Sequence, residues 1–266
     1  MKILLTRPVS DQEALAAHLQ AMGHQVIAAP VMEVHWLADE DDRLCGRLAD
    51  HLADAQGLIF TSGNGVRALQ RCQVISQQTM ALPVFATGMR TADLARGAGF
   101  SQLRSADGDG QALAHMISQQ CQPAAGALVH PCGVVRKDEP AQSLAANGFT
   151  LRQLPIYDAR PVPDLGDTAV RAFAKGDIDL VLLYSARSAR LFFDQMAASG
   201  LDRALLAGVD VGCLSDDVAH AAEWAADGGK GSSGESVWRH RIIARQPDEA
   251  SLLRALADFY DQPFGV

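Results

Sequence analysis

The chain has 266 residues, 48% of them apolar, enough for one large domain or two of average size with their own cores. A net charge of −8 argues against nucleic acid, which wants a basic face, and gives no long-range steering of an anionic substrate. Any anion must be held locally, by backbone N–H groups and a few Arg or Lys side chains, and no apolar run approaches the ~20 residues that span a membrane.

Ile3–Leu5 reads as a short buried strand ending at Thr6-Arg7-Pro8. Three consecutive apolar residues before Arg7 are too few for a signal-peptide core. Ser10-Asp11-Gln12-Glu13 fits a capping box, with serine at the cap and glutamate three residues on. The helix it predicts puts Leu15, Leu19 and Met22 on one face and stops at Gly23. Gln25–Ala29 is the next strand, closing a β-α-β unit, and Pro30–His35 reads extended. Asp39–Asp54 is acidic and amphipathic, with Leu44, Leu48 and Leu52 at helical spacing. Strands follow near 58–61, 83–86, 101–104, 127–130 and 151–157, with helical patterns between them. After Pro161 and Pro163 a second series begins: helix 167–175, strand 179–184, helix 187–199, strand 209–214, helix 216–226, strand 239–244 and helix 248–260. The alternation predicts parallel sheets covered on both faces.

One motif occurs twice. Leu58-Ile59-Phe60-Thr61-Ser62 runs from an apolar strand into a hydroxyl-bearing turn with Arg67 further on, and Leu182-Leu183-Tyr184-Ser185 does the same with Arg190. The serines lie 123 residues apart, from 62 to 185. Weaker echoes follow, around Thr87-Gly88-Met89-Arg90-Thr91 and around Leu214-Ser215-Asp216-Asp217. A repeat this long is a domain, because solenoid repeats run about 20–50 residues. The middle section, 36–157, supplies five strands and the rear section three; the first β-α-β unit supplies the two that the rear lacks. The expected domains are therefore 1–33 plus 160–266, and an inserted 36–156, with two extended links side by side and the polar turns of both domains lining a cleft. In open α/β sheets, ligands bind at such strand-to-helix turns.

Each candidate residue has a functional and a plainer reading. Thr61, Ser62, Gly63, Asn64 and Gly65 fit an anion nest, in which small residues let backbone N–H groups approach a carboxylate at a helix start. The plainer reading is a helix cap. The echo at Ser185, Ala186, Arg187 and Ser188 favours the nest, since independent caps need not share a distal arginine. Thr87, Gly88 and Thr91 form the same kind of turn. Cys132 and Gly133 end another strand, with the cations Arg136 and Lys137 close behind. Cys132 has no evident partner histidine and reads as a loop thiol. Tyr157, after Pro155, can donate a proton or simply pack at a domain edge. The eight histidines, including His130 and His240, show no metal-ligand spacing and default to structural or surface roles. Five widely spaced cysteines without a C-x-x-C predict a reduced, cytoplasmic chain rather than a disulfide framework or zinc site. Gly228–Ser236 reads as a flexible loop; its Gly-Lys-Gly-Ser lacks the spacing of a phosphate loop. No dinucleotide fingerprint or nucleophile elbow is present, so no cofactor and no metal are expected.

Thr6-Arg7-Pro8, Phe60-Thr61-Ser62 with Asn64 and Val66, Gly88 with Thr91-Ala92, and Gly133 with Arg136-Lys137 occur in this order. Gly148 before the strand to Tyr157, the Ser185 turn and Leu252-Leu253-Arg254-Ala255-Leu256 continue the series. Together they resemble the uroporphyrinogen-III synthase family over nearly the whole chain. The resemblance implies two flavodoxin-like α/β domains, the second inserted into the first and joined by a two-stranded link. It also implies a reaction without cofactor. Hydroxymethylbilane, handed over from hydroxymethylbilane synthase, loses water and closes to uroporphyrinogen III in haem biosynthesis, with ring D inverted through a spiro intermediate. The family's tyrosine, proposed to help the hydroxyl leave, falls on Tyr157. The implied substrate-binding positions are Arg7, Thr61, Ser62, Gly63, Asn64, Thr87, Gly88, Thr91, Cys132, Gly133, Arg136, Lys137, Ser185, Ala186, Ser188 and Ser215, in a monomer. Asp216 and Asp217 depart from the family's consecutive threonines, and Gly228–Ser236 looks like an insertion. The alternative from another class is a non-catalytic cytoplasmic two-domain protein that closes on a small ligand.

Overall fold

The structure, a computed structural model, describes residues 1–73, 75–229, 236–261 and 264. It opens with β1 (Lys2–Leu5), α1 (Val9–Ala21), β2 (Gln25–Ala28) and β3 (Met32–Trp36). The middle holds α2 (Leu44–Leu52), β4 (Ala55–Phe60), α3 (Gly63–Arg71), α4 (Gln77–Met80), β5 (Val84–Ala86), α5 (Met89–Gly97) and β6 (Leu103–Ser105). It continues with α6 (Gly110–Gln120), β7 (Ala127–Gly133), α7 (Ala141–Ala146) and β8 (Leu151–Pro161). The rear holds α8 (Gly166–Ala174), β9 (Leu180–Leu183), α9 (Ala186–Ala198), β10 (Asp210–Cys213), α10 (Asp216–Ala226), β11 (Arg241–Ile243) and α11 (Glu249–Tyr260).

The chain divides into two compact units, Met1–Glu33 with Arg160–Val266, and Val34–Ala159. The first unit's sheet has the order β11-β10-β9-β1-β2, with parallel pairing throughout. Numbered within the unit this is 2-1-3-4-5, the flavodoxin order. The second sheet runs β3-β8-β7-β4-β5-β6, and β4 to β8 pair in parallel. Its five strands β6-β5-β4-β7-β8 repeat the spatial arrangement β11-β10-β9-β1-β2. The two sheets differ by circular permutation: the pair that ends the second unit, β7 and β8, corresponds to the pair that starts the chain, β1 and β2. The sixth strand, β3, was not among the five expected. It and β8 contain the points where the chain passes between units, and the two are hydrogen-bonded neighbours.

The central strands of both sheets are buried on both faces because Ile3–Leu5 of β1, β9 and the Leu58–Phe60 end of β4 are runs of apolar residues. In the first unit Leu4, Val181, Leu183 and Val211 enter one core, and Ile3, Leu5, Leu180 and Leu182 enter the other. In the second, Leu58, Phe60, Val84 and Val129 face one way, and Ile59, Phe85 and Leu128 the other. This is the two-residue period of a strand. Each fully buried Leu or Phe contributes about 1.5–3 kcal/mol of transfer free energy.

Three expectations are corrected. The first helix does not use a Ser10 capping box: Val9 starts it, Pro8 is the N-cap, and no side chain caps it. The turn is tied instead by the Asp11 N–H to the Pro8 carbonyl (2.9 Å) and by the Gln12 side chain to the Arg7 carbonyl (2.8 Å). The expected 39–54 helix is shorter, Leu44–Leu52, although Leu44, Leu48 and Leu52 are buried as the spacing predicted. Finally, Cys45 and Cys72 form a disulfide, where reduced cysteines were expected. Cys45 lies in the first turn of α2 and Cys72 at the C-cap of α3, and both helices pack on the same core. Of the expected 228–236 loop, Gly228 and Gly229 take positive φ and Ser236 Oγ donates to Glu223 Oε1 (2.9 Å); residues 230–235 lie outside the described residues.

Candidate functional site

In an open parallel sheet, the crevice for a ligand opens where adjacent strands send their connections in opposite directions. In the first unit that point lies between β1 and β9; in the second, between β7 and β4. Arg7 and Ser185 follow these strands in one unit; in the other, Gly133 ends β7 and Thr61-Ser62 follow β4. Most of the sequence-predicted site residues therefore fall at the switch point of one sheet or the other. Thr87, Gly88 and Thr91 follow the neighbouring β5, and Ser215 follows β10.

In the second unit, Ser62 caps α3 and its hydroxyl accepts from the Asn64 N–H (3.2 Å). Asn64 Oδ1 accepts from the Arg67 guanidinium (2.8 Å), which uses the distal arginine to stiffen the turn. Gly65 is required by close approach: a Cβ there would lie 2.6 Å from the Pro131 carbonyl oxygen. The α3 turn is thus pressed against β7. Thr61 Oγ1 lies 3.2 Å from His130 Nε2 across the same pair of strands. The Thr87 hydroxyl donates to the Thr61 carbonyl at 3.4 Å, and Gly88 caps α5 without a side chain. Thr91 is buried in that helix.

At the end of β7, Gly133 pairs with Tyr157 of β8, and the Val134 N–H donates to the Tyr157 carbonyl at 3.0 Å. A Cβ on Gly133 would lie 3.0 Å from two atoms of the Tyr157 ring, so the tyrosine covers this turn. The Arg136 guanidinium donates to the Val134 carbonyl (3.1 Å), and Arg136 and Lys137 are exposed. Cys132 is buried, and burial pushes its thiol up, outweighing the nearby Arg136; it packs as a small hydrophobe. His130 is buried too, and burial with the Arg136 charge lowers its pKa to about 4, so the imidazole is neutral.

In the first unit, Thr6 Oγ1 donates to the Leu182 carbonyl (2.7 Å), tying the end of β1 to β9. Arg7 pairs with Glu249 of α11, and its guanidinium carbon stands 3.5 Å from the Tyr184 ring centroid. Ser185 and Ser188 form a reciprocal capping box, each hydroxyl accepting from the other's backbone N–H at 3.0 Å. Both hydroxyls are thus engaged, and this turn, with Ala186, offers a ligand backbone N–H groups. Ser215 caps α10 with a single bond, its hydroxyl accepting from Val218 N–H at 3.4 Å. Asp216 and Asp217 are exposed in its first turn, where the helix dipole favours carboxylates.

The sequence reading missed His130 as a neighbour of Thr61 and Glu249 as the partner of Arg7. No local signal carries either contact, because they join residues 69 and 242 positions apart. Among the described residues no group of three or more His, Cys, Asp or Glu could hold a metal ion, and no helix is long and apolar enough to cross a membrane. In each unit the turns can bind anions through helix N-termini and a few cations, and each switch point has a tyrosine beside it, Tyr184 in the first unit and Tyr157 in the second.

Comparison with known proteins gives a consistent result. The family model described as uroporphyrinogen-III synthase HemD matches residues 13–227. A uroporphyrinogen-III synthase of Synechococcus elongatus is 26% identical over 224 residues, covering 80% of this chain and 81% of that protein. The crystal structure of uroporphyrinogen-III synthetase from Helicobacter pylori 26695 aligns over 97% of this chain and 99% of its own, with TM-score 0.59 and 13% identity. A mutant uroporphyrinogen III synthase from the extremely thermophilic bacterium Thermus thermophilus aligns over 98% and 99%, with TM-score 0.57 and 16% identity. At these identities the two structures speak to the fold alone, and they share it.

Proposed function

The chain belongs to the uroporphyrinogen-III synthase family, and from that premise we propose that the donor turns at the two switch points hold its substrate. Its activity is that of a cyclising lyase. Hydroxymethylbilane loses water and closes to uroporphyrinogen III with ring D inverted, a step of haem biosynthesis. The substrate's own electrons form the ring, so the protein's task is to fold it, orient it and shield the reactive cation. Within 62–65, 87–91, 132–134 and 185–188, the backbone N–H groups that the caps and the strand pairing do not use take its carboxylates, with Arg7, Arg136 and Lys137. Those of Asn64, Gly65, Thr91, Val134, Ser185 and Ser188 are already engaged. The starts of α3, α5 and α9 add positive potential at those turns. Tyr157 gives its proton to the departing hydroxyl, which leaves as water. The observation that supports this reading is that the expected donors fall at or beside the switch point of each sheet, with the Tyr157 ring against one of them.

We propose further that residues 36–156 form an inserted domain and 1–33 plus 160–266 a discontinuous one, in a monomer. The substrate is a polycarboxylate that does not cross membranes unaided, which supports a cytoplasmic protein receiving it from hydroxymethylbilane synthase; the Cys45–Cys72 bond runs against a reducing compartment. Product affinity, measured beside thermal stability, tests the site. Arg136→Ala or Lys137→Ala is expected to weaken binding about tenfold, the worth of one charge-assisted hydrogen bond. Ser62→Pro forces φ near −65° where the structure has −155° and removes a donor without changing charge. It is expected to lower affinity as well. Unchanged affinity in all three, whatever their melting points, places the site elsewhere.

A further inference from the structure

His130 has a hydrogen-bond arrangement with a chemical consequence for Thr61. The residue is 2% exposed, its Nε2 lies 3.2 Å from Thr61 Oγ1, and its Nδ1 is buried without a hydrogen-bond partner. A neutral imidazole carries one proton, on either Nδ1 or Nε2. A proton on Nδ1 makes a buried N–H with no acceptor, and orphaned buried donors are rarer than orphaned acceptors. A proton on Nε2 leaves Nδ1 a bare acceptor and points the N–H at Thr61 Oγ1. The threonine oxygen then accepts from His130, and its own hydrogen is left for another acceptor. Thr61 is partly exposed at the carboxyl end of β4, beside the start of α3.

We propose that His130 is a positioning residue, the Nε2–H tautomer of which commits the Thr61 hydroxyl to donate to a substrate carboxylate. The inference rests on the reading of the Thr61 turn as a substrate-binding turn. It gives a role to a buried polar side chain that is distant in sequence from the turn it serves. It also explains why a polar ring sits on β7 amid the apolar residues Leu128, Val129 and Cys132. Without this donor, the threonine hydroxyl is free to rotate and to turn its hydrogen inward.

The test compares His130→Leu, His130→Gln, Thr61→Val and the His130→Leu/Thr61→Val pair, reading KM and kcat with hydroxymethylbilane. His130→Leu is expected to raise KM about three- to tenfold with kcat little changed, the effect of loosening one polar contact to a charged ligand. In the Thr61→Val background it is expected to add nothing, since the hydroxyl it orients is gone. Glutamine, which keeps an N–H donor near the Nε2 position, is expected to bring KM back to within about twofold of wild type. Additive effects of the two substitutions, or a glutamine variant no better than leucine, overturn the proposal. Nitrogen-15 spectra of the wild-type imidazole test it without any variant: Nε2 protonated is the expected result, and Nδ1 protonated overturns it. Absent turnover by the wild-type protein would instead remove the functional reading beneath it. Normal wild-type turnover with additive variants removes only the role of His130.

Discussion

Arg7, at the end of the first strand, stands with its guanidinium carbon 3.5 Å from the centroid of the Tyr184 ring while pairing with Glu249. The side chain is only 13% exposed, so this cation is fixed in place beside the Ser185 cap rather than waving in solvent. It serves the fold and the proposed site together. Arg7→Ala is expected to cost about 1–2 kcal/mol of stability, from a partly desolvated cation–π contact and ion pair. In the folded fraction it is also expected to weaken product binding about tenfold. Lost stability with full affinity would make Arg7 a structural cation only.

Tyr157→Phe keeps the ring that covers Gly133 and removes the phenolic proton. A positioned general acid contributes about 10²–10⁴-fold, so kcat is expected to fall by at least about 10²-fold while the melting temperature stays near wild type. Full kcat in the phenylalanine variant would leave Tyr157 as packing.

Asp210 is buried at the start of β10, at the end of the sheet opposite the site. Burial pushes its carboxyl up, but Arg239 (2.8 and 2.7 Å), the Tyr260 hydroxyl and His240 Nδ1 (3.0 Å) outweigh that and hold it below the usual carboxylate range. The folded pKa is lower than the unfolded one. Its stabilisation is therefore fully present above about pH 4 and is lost as pH falls through the folded value. Asp210→Asn is expected to cost about 2–4 kcal/mol at neutral pH, with the half-exposed Arg239 keeping it toward the lower end. Stability measured by denaturant between pH 7 and pH 3 is expected to fall less steeply in the variant. Equal acid slopes would contradict the assignment.

The Cys45–Cys72 bond leaves Cys121, Cys132 and Cys213 as thiols. Thiol titration in denaturant is expected to count three before reduction and five after. A bond that spans 27 residues is expected to add about 3–4 kcal/mol by limiting the unfolded chain. A count of five before reduction would contradict the bond.

What was legible in the sequence was set by short-range physics. The apolar strands, the helix faces Leu44-Leu48-Leu52 and Leu15-Leu19, and the stop at Gly23 (φ +84°) follow from period and backbone preference alone. The serine caps at 62, 185 and 215 were visible as cap-compatible residues, and all three cap helices. Their use by a ligand is a separate question, because a cap and an anion nest employ the same residue types. Ser10 misled because a serine followed by an acidic residue three positions on imitates a cap, while Pro8 already stood at the N-cap two residues earlier and Val9 had started the helix. The Thr61–His130, Arg7–Glu249 and Cys45–Cys72 contacts were illegible. Each depends on how sheets and helices assemble, and nothing local distinguishes those side chains from their neighbours.

The most direct test of the central claim is the isomer that the protein makes. Freshly prepared hydroxymethylbilane is incubated with the full chain without added metal or nucleotide, the product is oxidised, and the porphyrin isomers are separated by chromatography. The account predicts mainly the type III isomer, formed faster than the spontaneous closure. Type I alone, at the rate of a protein-free control, would contradict it.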